Sequence, residues 1–323
     1  MIGICCVYLA ESPTQLGILQ TSLRQLRRTT HTPFKLYGAV PGANAQTLDI
    51  LKDAEVRLVS ANEKRITPGH LEHSVLLDEL ISFAIHDGCT HIATFDVDSW
   101  PIAPGWDKQL GELLTESAPL AAVVRTELGD NFPFPAFTYF LSSFWNHEQS
   151  RTGLLEETSW SEEAKVCSVR PAQTGSGLLA QLYDTRTDFF AMERTNAWSP
   201  HTVISAVYEN TVFHLGALSR KPKFFSDRED YRLDGTPVKR RHATAMNAAI
   251  KDIATKEVLS NHDRWIHALT DGAKPISPRR VSPASFKDLG AKRRSDAKPE
   301  ETSDKAVTRR LQNLFTGKGR KTR

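Results

Sequence analysis

Asp96 and Asp98 are the residues whose types and spacing can do chemistry, because a short apolar run, His91-Ile92-Ala93-Thr94-Phe95, ends abruptly in them. In an extended or turning segment, residues two apart project to the same side, so both carboxylates can face one ligand. Two like charges held that close repel unless something positive lies between them. A divalent cation with oxygen ligands meets that need, and Mg²⁺ or Mn²⁺ takes few carboxylates while leaving positions for phosphates. The other reading of Asp-x-Asp is a polar turn that closes a strand.

The elements around the pair decide where it sits. Thr90 to Phe95 is β-branched and apolar, which reads as a buried strand. Before it, His70 to Asp87 is the clearest helix in the chain, with Leu77, Leu80, Ile81, Ala84 and Ile85 on one stripe and Gly88 at its end. From His73 to Asp87 is roughly 21 Å of helix, and from Thr90 to Asp96 roughly 20 Å of strand. The helix runs back antiparallel to the strand, so His73 is expected level with Asp96, with Asp78 little more than one turn further in. Ligands in open α/β sheets bind outside the carboxyl ends of strands, which is this edge.

Upstream, Ile2 to Leu9, Phe34 to Val40 and Glu55 to Ser60 read as strands. Helices fall between them, the first opened by Ser12-Pro13-Thr14-Gln15, a capping box with proline in the first turn. This βαβαβ alternation predicts a parallel sheet with helices on both faces. Downstream, Leu120 to Val124 is a strand, and residues 125–150 are dense in aromatics: Phe132, Phe134, Phe137, Tyr139, Phe140, Phe144 and Trp145. Those rings suit either an acceptor surface on which sugars stack or a core plug under a long loop. Helical stretches are expected from Thr244 to Val258 and around Trp265.

Composition bounds the class. The 323 residues are 40% hydrophobic, ample for a core, and contain no 20-residue apolar run. The first ten residues read as a strand, with no basic leader. Cys5, Cys6, Cys89 and Cys167 form no Cys-x-x-Cys pair, so reduced buried thiols and a cytoplasmic location are expected. From Gly272 onward there are 15 Lys and Arg against 5 Asp and Glu, a surplus of +10 that leaves residues 1–271 at −7 within a total of +3. The apolar content falls there too, which predicts a disordered basic tail over 272–323. Near its end Val307, Leu311, Leu314 and Phe315 share a helical face among basic residues, so 304–323 reads either as a helix on an anionic membrane or a partner, or as a solvated tail.

In this order of parts the chain resembles the GT-A fold glycosyltransferases, which move a sugar from a nucleotide diphosphate donor. The likeness covers about residues 1–225 and rests on the βαβαβ start, on Asp96-Val97-Asp98 after a buried strand, and on Val212-Phe213-His214-Leu215-Gly216. It implies a Rossmann-type, mostly parallel sheet flanked by helices. Residues 1–125 would be the donor half and 126–271 the acceptor-side half of one catalytic domain. It further implies Mn²⁺ or Mg²⁺ on the donor diphosphate, with Asp98 as main ligand, His214 as second and Asp96 shared between metal and donor. His73 and Asp78 would lie on the donor side, with Arg65 or Arg220 as the cation on the diphosphate. Trp100, Phe134, Phe137 and Tyr139 would face a glycan or lipid-linked acceptor, as in polysaccharide biosynthesis. By position the base candidates are Glu127, Asp130, Asp184 and Glu209, with Asp130 preferred. Apart from the likeness, His214 after apolar Val212-Phe213 reads as a satisfied core histidine.

Other readings are weaker on residue grounds. Gly175-Ser176-Gly177-Leu178-Leu179-Ala180 matches a dinucleotide-binding pattern, but the strand before it would be only Val166 to Val169. His70-Leu71-Glu72-His73 has the wrong spacing for a zinc protease, and no GxxxxGK[ST] occurs. An acidic body argues against nucleic acid as partner. A catalytically inactive binding module that works through the basic tail is the alternative of a different class.

Overall fold

A computed structural model describes residues 1–42, 44–60, 69–125, 130–146, 150–153, 174–196, 198, 204–216, 240–273 and 277–283, with backbone alone for 60, 69–71, 130, 131 and 240–247. The chain runs β1 (Ile2–Val7), α1 (Pro13–Thr29), β2 (Phe34–Ala39), α2 (Ala45–Asp53), β3 (Arg57–Ser60), α3 (Gly69–His86), β4 (His91–Asp96), β5 (Ser99–Pro101), α4 (Trp106–Gly111), β6 (Leu120–Arg125) and β7 (Asp130–Leu141). It continues through α5 (Ser176–Asp184), β8 (Phe189–Met192), β9 (Ala206–Tyr208), β10 (Val212–His214), α6 (Arg240–Thr270) and β11 (Arg279–Val281). The fold is mixed α/β: a mostly parallel central sheet, in the order β11-β8-β6-β7-β4-β1-β2-β3, flanked by helices. A second, three-stranded sheet has the order β5-β10-β9.

Alternation along the strands explains the layers. Ile2, Ile4 and Cys6 pack with Leu19, Leu23 and Leu26 of α1 and Trp106 of α4, whereas Cys5 and Val7 pack with Leu77, Leu80 and Ile81 of α3 and Leu178 of α5. Cys5, Cys6 and Cys89 are free and buried; Cys167 lies outside the described residues. The expected capping box is present: the Ser12 side chain accepts from the Gln15 N–H, and the Gln15 side chain accepts from the Ser12 N–H. Gly88 ends α3 at φ +80°. Among the described residues no helix is long and apolar enough to cross a membrane.

Two expectations are corrected. The aromatic stretch is not a plug under a loop but β7, a 12-residue strand paired antiparallel between β4 and β6. Pro135 falls in the register jump from Ala122↔Thr138 to Val123↔Phe134, and Pro133 in the next, from Val123↔Phe134 to Arg125↔Asp130, so neither has to supply a ladder N–H. β7 thereby lies in the same sheet as β1 to β4. Second, the sheet does not stop before residue 272: β11 pairs with β8, Val281 is 4% exposed in the core, and the Tyr183 hydroxyl donates to the Pro283 carbonyl at 2.7 Å. Residues 284–323, including 304–323, lie outside the described residues.

Candidate metal centre

β4 carries Asp96 to the sheet's open edge, where the chain turns through Val97 and Asp98 into β5. Ser99 fixes that turn. Its Oγ accepts from the Asp96 N–H at 3.0 Å and donates to the Ala136 carbonyl of β7. Val97 faces the core at 9% exposure, which leaves the two aspartates at the edge.

The third member comes from 116 residues downstream. β10 pairs antiparallel with β5, placing His214 opposite Ser99, and the Leu215 N–H donates to the Asp98 carbonyl at 2.9 Å. His214 Nε2 then lies 3.4 Å from Asp98 Oδ1, with both side chains 9% exposed. One ligand atom from each of Asp96, Asp98 and His214 falls within 4.8 Å of the others. A cation bound at about 2.1 Å needs donors no more than about 4.2 Å apart, so the three close on it by less than an ångström. Two carboxylates and an imidazole suit Mg²⁺ or Mn²⁺ with positions left for phosphate oxygens.

His73 stands where the helix and strand lengths put it: its Nε2 is 3.5 Å from Asp96 Oδ1. Asp78 is engaged elsewhere. Its Oδ1 accepts from the Thr152 N–H at 2.8 Å and the Thr152 hydroxyl at 2.6 Å, anchoring residues 150–153 to α3. Burial outweighs those bonds and pushes the Asp78 carboxyl up to about 6.

Of the four aromatics expected on an acceptor surface, Phe134 alone reaches the site, its ring 6.0 Å from that of His214. Trp100, Phe137 and Tyr139 are at most 2% exposed and belong to the cores, so an acceptor surface is not formed by them. Trp100 is taken up by the core under the small sheet, and on β7 the reason is register: β4 pairs with it only as far as Phe95↔Phe137, so residues 130–136 extend beyond β4 toward the edge. Asp130 begins that extension, opposite Arg125. Asp184 is exposed at the far end of α5, and the Glu209 carboxylate accepts from the Glu193 N–H at 2.9 Å. Arg65, Glu127 and Arg220 lie outside the described residues.

Two cations here escaped the sequence reading. Arg125 ends β6 and stacks its guanidinium 3.4 Å above the Phe134 ring, beside His214. The rule that singled out Asp96, chemistry at the carboxyl end of a strand, would have found it. Lys251 of α6 lies within electrostatic reach of Asp98; burial lowers its pKa, and the Asp98 and Asp252 carboxylates oppose that. Its signal was a lysine next to the buried stripe Ile250, Ala254, Val258.

No sequence model of a known protein family matches the chain, and no curated protein does. Solved structures similar to it include a cytidylyltransferase from Leptospira borgpetersenii, 11% identical over 77% of this chain and 94% of that one, at a TM-score of 0.40. Mouse xyloside xylosyltransferase 1 is 10% identical over 57% and 82%, at 0.36. A mannosyltransferase from Pyrobaculum calidifontis, in complex with GDP-Man and Mn²⁺, is 10% identical over 98% and 87%, at 0.42. With identities this low and every TM-score below 0.5, the chemistry of the chain has to be read from its own residues.

Proposed function

We propose that the chain is a metal-dependent glycosyltransferase that moves a sugar from a nucleotide diphosphate donor to a glycan or lipid-linked acceptor. The observation that carries this reading is the convergence of Asp96, Asp98 and His214 within 4.8 Å at the carboxyl edge of the sheet. A divalent ion held there would supply charge stabilisation to the departing nucleoside diphosphate. His73 orients Asp96, and positive charge comes from Arg125, stacked on the Phe134 ring near His214, and from Lys251, near Asp98. Phe134, held flat by Arg125, offers a ring for an acceptor sugar. Asp130, at the start of β7, remains the preferred base. The basic segment 304–323 would draw the enzyme to anionic lipid at the inner face of a membrane.

Calorimetric titration with UDP, GDP and CMP, with and without Mn²⁺, tests the core of the reading. One nucleotide is expected to bind only with metal, and Asp98→Ala is expected to weaken it by about 100-fold or more. Absence of binding to all three would reduce Asp-x-Asp to a turn and favour a non-enzymatic module. Release of nucleoside diphosphate rather than pyrophosphate during turnover would separate sugar transfer from nucleotidyl transfer.

A further inference from the structure

A second cluster of chemistry lies on the other side of β5, between α1 and α6. Helix α6 breaks at Asn261, where φ −142° and ψ 42° leave helical geometry. At that break an open surface pocket of about 320 Å³ is lined by Arg24, Gln25 and Arg28 of α1 and by Asn261, His262, Asp263 and Arg264 of α6. Pockets of this size take small ligands.

The charge balance is one-sided. Three guanidinium groups meet one carboxylate, and Arg28 already holds it through contacts of 3.2 and 3.1 Å to Asp263. Among the described residues Arg24 and Arg264 have neither a hydrogen-bond nor an ion-pair partner. His262 adds no charge. Its Nε2 accepts from the Trp100 indole N–H at 3.0 Å, and an indole N–H only donates, so the imidazole proton must reside on Nδ1, 2.9 Å from Asp263. Burial further favours the neutral ring. The pocket therefore carries about two uncompensated positive charges beside the polar side chains of Gln25 and Asn261.

We propose that this pocket is a binding site for a phosphate-type anion, held by Arg24 and Arg264. Guanidinium forks match tetrahedral oxyanions, and here Arg24 and Arg264 bring one each to the same pocket from different helices. The site is separate from the metal centre but linked to it through β5: Trp100, which donates to His262 of the lining, is two residues from Asp98. The anion is carried by a substrate or is free in solution.

The test uses the full chain in EDTA, so that it does not depend on the metal centre, with inorganic phosphate and a sugar 1-phosphate as calorimetric probes. Saturable binding is expected in the wild type, unchanged in Asp98→Ala, and weakened about tenfold or more in Arg24→Ala/Arg264→Ala. Both arginines are exposed, so the double variant folds, and Arg24→Lys/Arg264→Lys is expected to recover part of the affinity. Tighter binding of the ester supports the site as one that grips a substrate; tighter binding of inorganic phosphate supports it as an effector site. Lack of saturation by either probe up to roughly 10 mM, or affinity that survives the double alanine variant, overturns the proposal.

Discussion

Each aspartate of the candidate metal centre faces an imidazole, His73 for Asp96 and His214 for Asp98, so the acidic edge is ordered before any ligand arrives. Asp78, one turn along α3 from His73, has a different task and a cost attached to it. Its carboxyl titrates near 6 in the folded protein, above its ordinary value of 3.8, because burial disfavours the charge. The native state thus binds more protons than the unfolded state between about pH 4 and 6, so stability falls as pH rises through that window and stays lower above it. The full effect is up to about 3 kcal/mol. Asp78→Asn keeps an acceptor for Thr152 and removes the charge. Urea unfolding should show it more stable than the wild type at pH 7.5 by about 1–2 kcal/mol, with the gain gone at pH 4.

At the scale of elements, the Gly-rich opening of α5 shows how a motif can match a cofactor pattern for reasons of packing. Gly175 sits at φ +102°, and a Cβ there would lie 2.0 Å from the Pro133 carbonyl oxygen of β7. A Cβ on Gly177 would lie 2.2 Å from the Arg151 carbonyl oxygen. Both obstacles are backbone, which cannot swing aside. Gly177→Ala should therefore destabilise the protein by about 2 kcal/mol or more in denaturant unfolding; a neutral result would show that the backbone at the α5 entry can shift to admit a side chain. The same packing forces α5 against the segment that Asp78 anchors, since the Gly175 and Gly177 N–H groups both donate to the Thr152 carbonyl.

Across the whole molecule, three cores meet at the site. Two lie on opposite faces of the large sheet, and the third, built from Trp100, Val207, Phe213, Ile250 and Trp265, lies under the small sheet and α6. The third core is what brings β10 to β5 and Lys251 to Asp98. At the far edge, β11 closes the large sheet with Val281 in the core, Arg279 paired to Glu193 at 3.2 Å and Arg280 to Asp188 at 2.9 Å. A chain ending at Gly272 should lose about 2 kcal/mol or more of stability through the loss of Val281 burial and strand pairing, whereas one ending at Pro283 should keep wild-type stability. Thermal unfolding of the two truncations separates the contribution of β11 from that of the basic residues beyond it.

Local sequence determined the alternation of strands and helices up to β4, the Ser12 cap, the end of α3 at Gly88 and the arrival of Asp96 at a strand's carboxyl end. Periodicity, capping and turn chemistry act within one or two turns or strands. It also determined the meeting of His73 with Asp96, because two adjoining elements of matched length return to the same edge. Tertiary structure alone decided the rest. His214 reaches Asp98 only through antiparallel pairing across more than 100 residues, and Arg125 gains its place only once Phe134 extends beyond β4. Other long-range pairings settled the remaining places: β5 with β10 buries Trp100, β7 between β4 and β6 buries Phe137 and Tyr139, and β8 draws Arg279–Val281 out of an apparently basic tail. An aromatic strand reads the same whether one face meets solvent or both meet protein, and which of these holds depends on neighbours that no local pattern names.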